Sequence, residues 1–152
     1  MLELVYQNKT VDKSWSEDFF RKVINGACAY LNLDNETVEL GLHLVTPERS
    51  QELNKQHRQK DKPTDVLSFP LNEQGLKKYG ILPLGDIFIC PEIAKRQADE
   101  MNIPIDQELA RLAVHGFLHL LGHDHELSTA DEKKMINLQE EILQTIFKYL
   151  NI

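Results

Sequence analysis

The first half of the chain alternates between segments with the hydrophobic period of a strand and segments with that of a helix. Leu2–Gln7 is a short apolar run, and Val38–Val45 has the alternation of a strand, so both are predicted strands. Between them, apolar residues at 19–31 recur at helical spacing. A capping box at Ser14 and Glu17 predicts where this first helix begins.

The next segment begins with a second helix and then returns to a strand. Thr46 is its predicted N-cap, Pro47 takes the first helical position, and the helix reaches about His57. Residues 54–63 carry basic side chains without apolar periodicity, which predicts an exposed loop. These basic residues are Lys55, Arg58, Lys60 and Lys62. Thr64–Pro70 follows as a predicted third strand that its proline closes.

Residues 72–83 show no regular pattern and include two glycines, so they predict a loop. A fourth strand is predicted at Asp86–Cys90, and Pro91 opens a helix that reaches about Met101. Asp106 is the predicted N-cap of the helix after it. That helix carries two of the histidines considered below.

The C-terminal segment predicts a long helix that begins at Ser128 and Asp131. Its apolar stripe comprises Met135, Leu138, Ile142, Ile146 and Tyr149. The early alternation of strands and helices favours parallel strands joined by right-handed crossovers, whereas the direct passage from the third to the fourth strand favours an antiparallel pair. We therefore expect an α+β fold, in which a mixed sheet of about four strands packs with about five helices.

Composition narrows the class of protein. With 152 residues, 41% hydrophobic and 27% charged, the chain is ordinary for one globular domain at 1–152 that needs no disulfides. Cys28 and Cys90 are expected to be buried free thiols in a reducing compartment. No segment approaches the ~18 apolar residues of a membrane span, and residues 1–8 lack the features of a signal peptide. We expect a cytoplasmic protein without a membrane partner.

The strongest chemical signal is a cluster of histidines between positions 115 and 125. His115 and His119 lie one turn apart on one face of a helix that is apolar almost all round, so both are expected to be buried and to reach one ion. Gly122 falls where a left-handed cap would turn the chain back and bring His125 to the same ion. Three imidazoles without a carboxylate favour one zinc ion with an open fourth position.

The histidine spacing is that of a metalloprotease zinc helix of the metzincin type. The glutamate that serves as general base in such peptidases is replaced by Gly116, which argues against a peptidase of that mechanism. We interpret Met135 as a core residue rather than a methionine turn, and His123 as a non-ligand. His43 is interpreted as a residue on the second face of the sheet.

With these motifs, the chain resembles the YbeY family of bacterial rRNA maturation factors, which are single-strand-specific, metal-dependent endoribonucleases. The resemblance rests on H-G-F-L-H-L-L-G-H-D-H at 115–125, K-D-K-P-T-D-V-L-S-F-P at 60–70 and L-G-D-I-F-I-C at 84–90. It implies that His115, His119 and His125 bind zinc and that Arg58 is the functional arginine. Position 123 is commonly tyrosine in the family and is histidine here, which leaves its role open.

A basic groove would fit this activity. The formal net charge of −7 argues against a protein that coats nucleic acid non-specifically, but it permits a local basic groove. Arg58 can bind a phosphoryl group in a bidentate way, and the nearby lysines can follow an RNA backbone. The candidate substrate-binding residues are Lys60, Lys62, Thr64, Asp65 and Ser68, and those that orient an imidazole or transfer a proton include Asp86 and Asp124. A solvated charged loop is the alternative.

The resemblance implies a zinc-dependent endoribonuclease that acts in rRNA maturation, including processing of the 16S rRNA 3′ end, and in ribosome quality control. The implied partners are rRNA, ribosomal particles, a small-subunit ribosomal protein and an assembly GTPase. Two alternatives stay open: a metallohydrolase with another substrate class, and a non-catalytic assembly factor with a structural zinc.

Overall fold

The computed structural model describes residues 1–71, 75–123 and 128–152. The strands are β1 (Leu2–Asn8), β2 (Thr37–Leu44), β3 (Val66–Pro70) and β4 (Ile81–Ile89). The helices are α1 (Glu17–Tyr30), α2 (Pro47–Arg58), α3 (Pro91–Met101), α4 (Ile105–Leu120) and α5 (Thr129–Leu150), and a 3₁₀ turn at Lys77–Tyr79 precedes β4. The chain order is β1, α1, β2, α2, β3, β4, α3, α4, α5, which confirms the predicted order.

The strands form a mixed sheet in the order β1-β2-β4-β3. β1 pairs parallel to β2, and β2 pairs parallel to β4. β3 pairs antiparallel to β4, with Ser68 opposite Ile87. The predicted α+β fold, with a four-stranded mixed sheet and five helices, is therefore confirmed.

The main core lies between one face of this sheet and the helices. Val38, Leu40, Leu42 and Leu44 alternate along β2 and are all buried, as the strand period requires. α4 contacts β3 and β4 on one side and α1, α3 and α5 on others. It therefore occupies the centre of the helical layer, and its buried side chains fix it between the sheet and the remaining helices.

The helix starts agree with the sequence prediction at three positions, including Pro91 at the start of α3, and differ at two. Thr46 caps α2, and Ser128 caps α5 by accepting from the Asp131 amide. Ser16, not Ser14, caps α1, because Ser14 instead donates to the Asp12 carboxylate in the preceding turn. Asp106 lies inside the first turn of α4, where its negative charge interacts favourably with the positive end of the helix dipole. Pro104 occupies the N-cap.

The predicted boundaries around the basic segment need correction. α2 continues to Arg58, so Lys55 and Arg58 lie on its last turn rather than in a loop. Cations are favourable there because they face the unpaired carbonyls at the helix end. The loop begins at Gln59, whose positive φ of 57° closes the helix. β3 then begins at Val66, two residues later than predicted.

β4 begins at Ile81, well before the predicted start at Asp86. Pairing with β2 extends the strand, since Thr37 lies opposite Ile81, and a bulge between Glu39 and Leu40 accommodates the irregular segment. The first part of the predicted loop, residues 72–74, lies outside the described residues.

In α5, four of the five predicted stripe residues are buried or packed against the core, and Met135 is 2% exposed as a core residue should be. Tyr149 is 79% exposed, so its assignment to the stripe was wrong.

Both cysteines are free and buried as expected, and burial raises the pKa of the Cys28 thiol to about 11. Among the described residues, none of the helices has the length and apolar character needed to cross a bilayer.

The first turn of α4 buries a carboxyl group. Glu108 is 2% exposed, and its Oε2 accepts no hydrogen bond from the described residues. Arg111 lies one turn on, with Nε 3.9 Å from that oxygen. Burial raises the pKa of Glu108. The positive charge of Arg111 lowers this pKa in part, and the negative charge of Asp65 raises it further. Ionised Glu108 therefore opposes folding.

We expect Glu108→Gln to change how stability depends on pH. A pKa raised in the folded state means that the native protein holds this proton more tightly than the unfolded chain, so the native state loses stability as pH rises from about 4.5 through the raised pKa. Thermal unfolding between pH 4 and 8 should show the wild type losing stability relative to Glu108→Gln as pH rises. Glu140→Gln is the control, because Glu140 pairs with the same arginine but is 43% exposed. A difference that stays constant with pH would contradict the assignment.

Candidate functional site

A cleft of about 270 Å³ opens between the end of α2, the loop after it, β3 and α4. Its lining includes Arg58, Lys60, Lys62, Ser68, His115 and His119. Thr64 and Gly116 also line it. Two segments that lie far apart in the sequence, residues 54–68 and 115–119, therefore bring two imidazoles and three cations to one cavity.

The two cleft histidines lie side by side on α4. Their ring centroids are 4.4 Å apart, and the rings are tilted by 46°. This is the arrangement expected for residues four apart on one helical face. Because α4 is buried along most of its length, the backbone that carries the rings is held by the core.

A residue that the sequence analysis did not identify orients one of these rings. Gln139 on α5 is 6% exposed, and its Oε1 lies 2.8 Å from Nδ1 of His115. A carbonyl oxygen can only accept, so Nδ1 donates to it, and in the neutral ring Nε2 then holds the lone pair. The available signal was a polar residue at a core position, since Gln139 interrupts the buried stripe of Met135, Ile142 and Ile146.

The end of α4 has the predicted left-handed cap. Gly122 has φ +99°. Its amide donates to the His119 carbonyl, and the His123 amide donates to the Leu118 carbonyl, both at 3.0 Å. These two bonds form a Schellman motif, which ends the helix and redirects the chain. His123 follows as an exposed residue.

Two predicted site residues, Asp124 and His125, and the neighbouring Glu126, lie outside the described residues. The third zinc ligand therefore stays a prediction. Within 1–71, 75–123 and 128–152, no group of three or more histidine, cysteine or acidic residues could hold a metal ion. The described part of the site supplies the pair of imidazoles on α4.

Two buried polar side chains of α2 hold the basic loop in place. Asn54 donates to the Lys62 carbonyl at 2.9 Å. Ser50 donates to the Thr64 carbonyl at 2.7 Å and accepts from the Thr64 amide at 2.9 Å. Both side chains are at most 3% exposed. The sequence analysis missed them, although polar residues beside Leu53 on the buried face of α2 were the available signal.

Two predicted site residues lie outside the cleft lining. Asp65 accepts from the Val66 amide at 2.8 Å and from the Thr64 hydroxyl at 3.2 Å, so its carboxylate stabilises the start of β3.

Asp86 was expected near the imidazoles, and the structure corrects this. Ile87 faces α4, so the preceding residue points to the other face of the sheet. There Asp86 lies 2.9 Å from Nε2 of His43, which is on the second face as predicted.

A sequence model described as Endoribonuclease YbeY matches residues 3–147. The chain belongs to the endoribonuclease YbeY family. A relative from Persephonella marina, named endoribonuclease YbeY, is 40% identical over 151 residues, which cover 99% of this chain and 97% of the relative. Another with that name, from a Sulfurihydrogenibium species, is 43% identical over 139 residues and covers 91% and 86%. The solution structure of TM1509 from Thermotoga maritima shares the fold, with a TM-score of 0.69, 27% identity and coverage of 98% and 92%.

In this YbeY-family chain, packing explains the glycine at the position of the peptidase glutamate. A Cβ on Gly116 would lie 2.9 Å from Cγ2 of Ile87, closer than carbon atoms approach without a shift. Ile87 is fully buried on β4, so any shift of its side chain must displace other core residues. The position therefore serves the close approach of α4 to the sheet.

We expect Gly116→Ala to destabilise the protein by on the order of 1 kcal/mol. Overpacking against Ile87 costs about 1–3 kcal/mol, and the better helix propensity of alanine returns up to about 1 kcal/mol. Urea unfolding can separate the two effects in a double-mutant cycle. Ile87→Ala should cost about 0.5–3 kcal/mol less in the Gly116→Ala background than in the wild type.

Val23→Ala is the control for this cycle, because Val23 is buried on α1, and the atoms nearest to a Cβ on Gly116 all belong to Ile87. Its cost should be the same in both backgrounds. Strict additivity of Gly116→Ala and Ile87→Ala would show that the contact does not limit the residue at this position.

Proposed function

We propose that this chain is a zinc-dependent endoribonuclease that cleaves single-stranded RNA. The observation that carries the proposal is the shared cleft, which places His115 and His119 with Arg58, Lys60 and Lys62. Imidazoles supply metal ligands, and cations supply phosphate contacts, so this combination suits a phosphodiester better than an amide. Membership of the endoribonuclease YbeY family supports the same reaction class.

The residues of the cleft fit a zinc ion. Neutral imidazoles are common zinc ligands, and a histidine that ligates a metal usually donates its other N–H to a fixed acceptor. Gln139 is such an acceptor for His115. His119 is the second proposed ligand, and His125 is proposed as the third. When bound, zinc would act as a Lewis acid toward a phosphoryl oxygen or a water molecule.

The cationic residues of the cleft have separate proposed roles. The Arg58 guanidinium binds the phosphate that is cleaved and stabilises the charge that develops on its oxygens. Lys60 and Lys62, held by the loop contacts to α2, bind the neighbouring phosphates. Thr64 and Ser68 offer hydroxyl groups to the same RNA backbone. In a chain with a net charge of −7, this local basic patch draws the substrate to the cleft.

The family resemblance supports a finer proposal about the substrate. We infer that the RNA is ribosomal, that the chain takes part in maturation of the 16S rRNA 3′ end and in ribosome quality control in the cytoplasm, and that a small-subunit ribosomal protein and an assembly GTPase are partners.

Gly116 offers no general base to a peptidase, and its packing on Ile87 leaves no space for one.

Replacing Arg58 should slow cleavage strongly without loss of folding. Removal of one preorganised charge-stabilising group commonly lowers kcat by about 10²–10³, so Arg58→Ala should lower kcat on a single-stranded rRNA fragment by about that factor. Cleavage of a 5′-labelled fragment followed by gel electrophoresis measures the rate. Arg49→Ala is the matched control, because Arg49 lies on the same helix, is half exposed and pairs with Glu52. Equal rates for both variants would overturn the role of Arg58.

Metal binding provides an independent measurement. Elemental analysis should find one zinc per chain, and His115→Ala, His119→Ala and His125→Ala should each lose it. Gln139→Leu should weaken zinc binding about 10–100-fold, since loss of such a hydrogen-bond acceptor typically does so. His57→Ala is the control, because the His57 ring contacts Phe69 and does not line the cleft. Chelation should stop cleavage, and full activity in a metal-free sample would end the zinc proposal.

A further inference from the structure

A second cavity, of about 510 Å³, adjoins the candidate site. The two cavities share the same elements. Ser68 of β3 lines the first and Pro70 lines the second, about 7 Å further along the strand. On α4, His119 lines the first cavity, and Leu121 beyond the helix end lines the second. The second cavity therefore follows the first along both β3 and the end of α4.

Most of the side chains that line the second cavity are apolar. Pro70, Leu82 and Leu121 contribute flat or branched apolar surfaces. Lys77 supplies a cation and Glu36 a carboxylate. Apolar walls with a few polar groups are typical of a pocket that takes an aromatic ring and fixes its orientation. Single-stranded RNA is recognised in this way, by a base that leaves the stack and is read along its edge.

Glu36 contributes a carboxylate with one buried oxygen to this cavity. Its Oε2 is buried and accepts no hydrogen bond from the described residues. A buried acceptor without a donor costs free energy, which a ligand that brings a donor would recover. The terminal torsion of a glutamate is soft, so either oxygen can turn toward such a ligand. Among the described residues, Glu36 Oε2 is therefore an acceptor without a donor, on a side chain that lines the second cavity, and rotation of the carboxylate brings it to a ligand there.

We propose that this cavity binds the guanine base of a nucleotide beside the cleaved phosphate and that Glu36 selects it. The inference rests on the proposed endoribonuclease function. An ionised carboxylate has two acceptor oxygens and no donor. Guanine presents two adjacent donors, N1–H and the N2 amine, which match both oxygens. Adenine, cytosine and uracil each place an acceptor beside the donor on that edge, which the carboxylate repels. Lys77 then contacts a phosphate of the same nucleotide or its neighbour.

Glu36 can be changed without removing a structural contact of its side chain. Its backbone amide donates to the Leu33 carbonyl at 3.0 Å, and its carbonyl accepts from the amino group of Met1 at 2.6 Å. Both contacts survive Glu36→Gln. The matched control is Glu3→Gln, which makes the same change in charge at an exposed position on β1, outside both cavities.

The test measures binding and cleavage separately. Fluorescence anisotropy, with EDTA present so that no metal chemistry occurs, gives the Kd of labelled oligouridines that carry one guanosine, inosine, adenosine or cytidine. We expect the guanosine oligomer to bind at least about tenfold more tightly than the others, because a bidentate contact to a base gives about that discrimination. Inosine, which lacks the N2 amine, should lose most of the preference in the wild type. Glu36→Gln should abolish it, and Glu3→Gln should keep it.

Cleavage of the same oligomers with zinc restored should then occur next to the guanosine. A wild type that binds all bases equally, or a folded Glu36→Gln variant that keeps the guanine preference, overturns this inference, whether or not RNA is cleaved. Thermal unfolding establishes that the Glu36→Gln variant is folded. The comparison of the inosine and guanosine oligomers uses only the wild type, so it tests the inference even if the variant does not fold. Guanine-selective binding with no cleavage by the wild type would instead overturn the proposed endoribonuclease function and leave the cavity assignment standing.

Discussion

The close packing of α4 on the sheet is the contact on which the rest of the site depends. Gly116 lies directly on Ile87, and any larger residue would push the helix away from β4. That approach fixes the distance from the helix to β3, which forms the opposite wall of the cleft, and it leaves His115 and His119 facing the cavity. A tightly packed core element thus positions the two imidazoles that face the cleft.

Polar groups in buried positions complete this positioning. Ser50 and Asn54 hold the basic loop through its backbone, and Gln139 holds the ring of His115. Each satisfied bond contributes only about 0.5–1.5 kcal/mol to stability, but each also fixes the direction of a group that faces the cleft. Three buried polar side chains therefore set the geometry of a site that apolar packing alone would leave poorly defined.

Charge is distributed to suit an anionic substrate. The chain is acidic overall, yet Arg58, Lys60 and Lys62 converge on the cleft from one helix end and the loop after it. The acidic groups nearby have other surroundings: Asp86 lies on the opposite face of the sheet, and Glu36 lines the adjoining cavity. Local concentration of cations, rather than net charge, provides the attraction for a phosphate backbone.

The sequence by itself determined the order of the elements, the mixed sheet, the placement of His115 and His119 on one helical face and the cap at Gly122, because each depends on periodicity or on residues a few positions apart. Only the tertiary structure placed Gln139 beside His115 and turned Asp86 away from it. Such contacts join residues far apart in the chain. They depend on how helices pack and on strand parity, where a shift of one residue exchanges the two faces of the sheet.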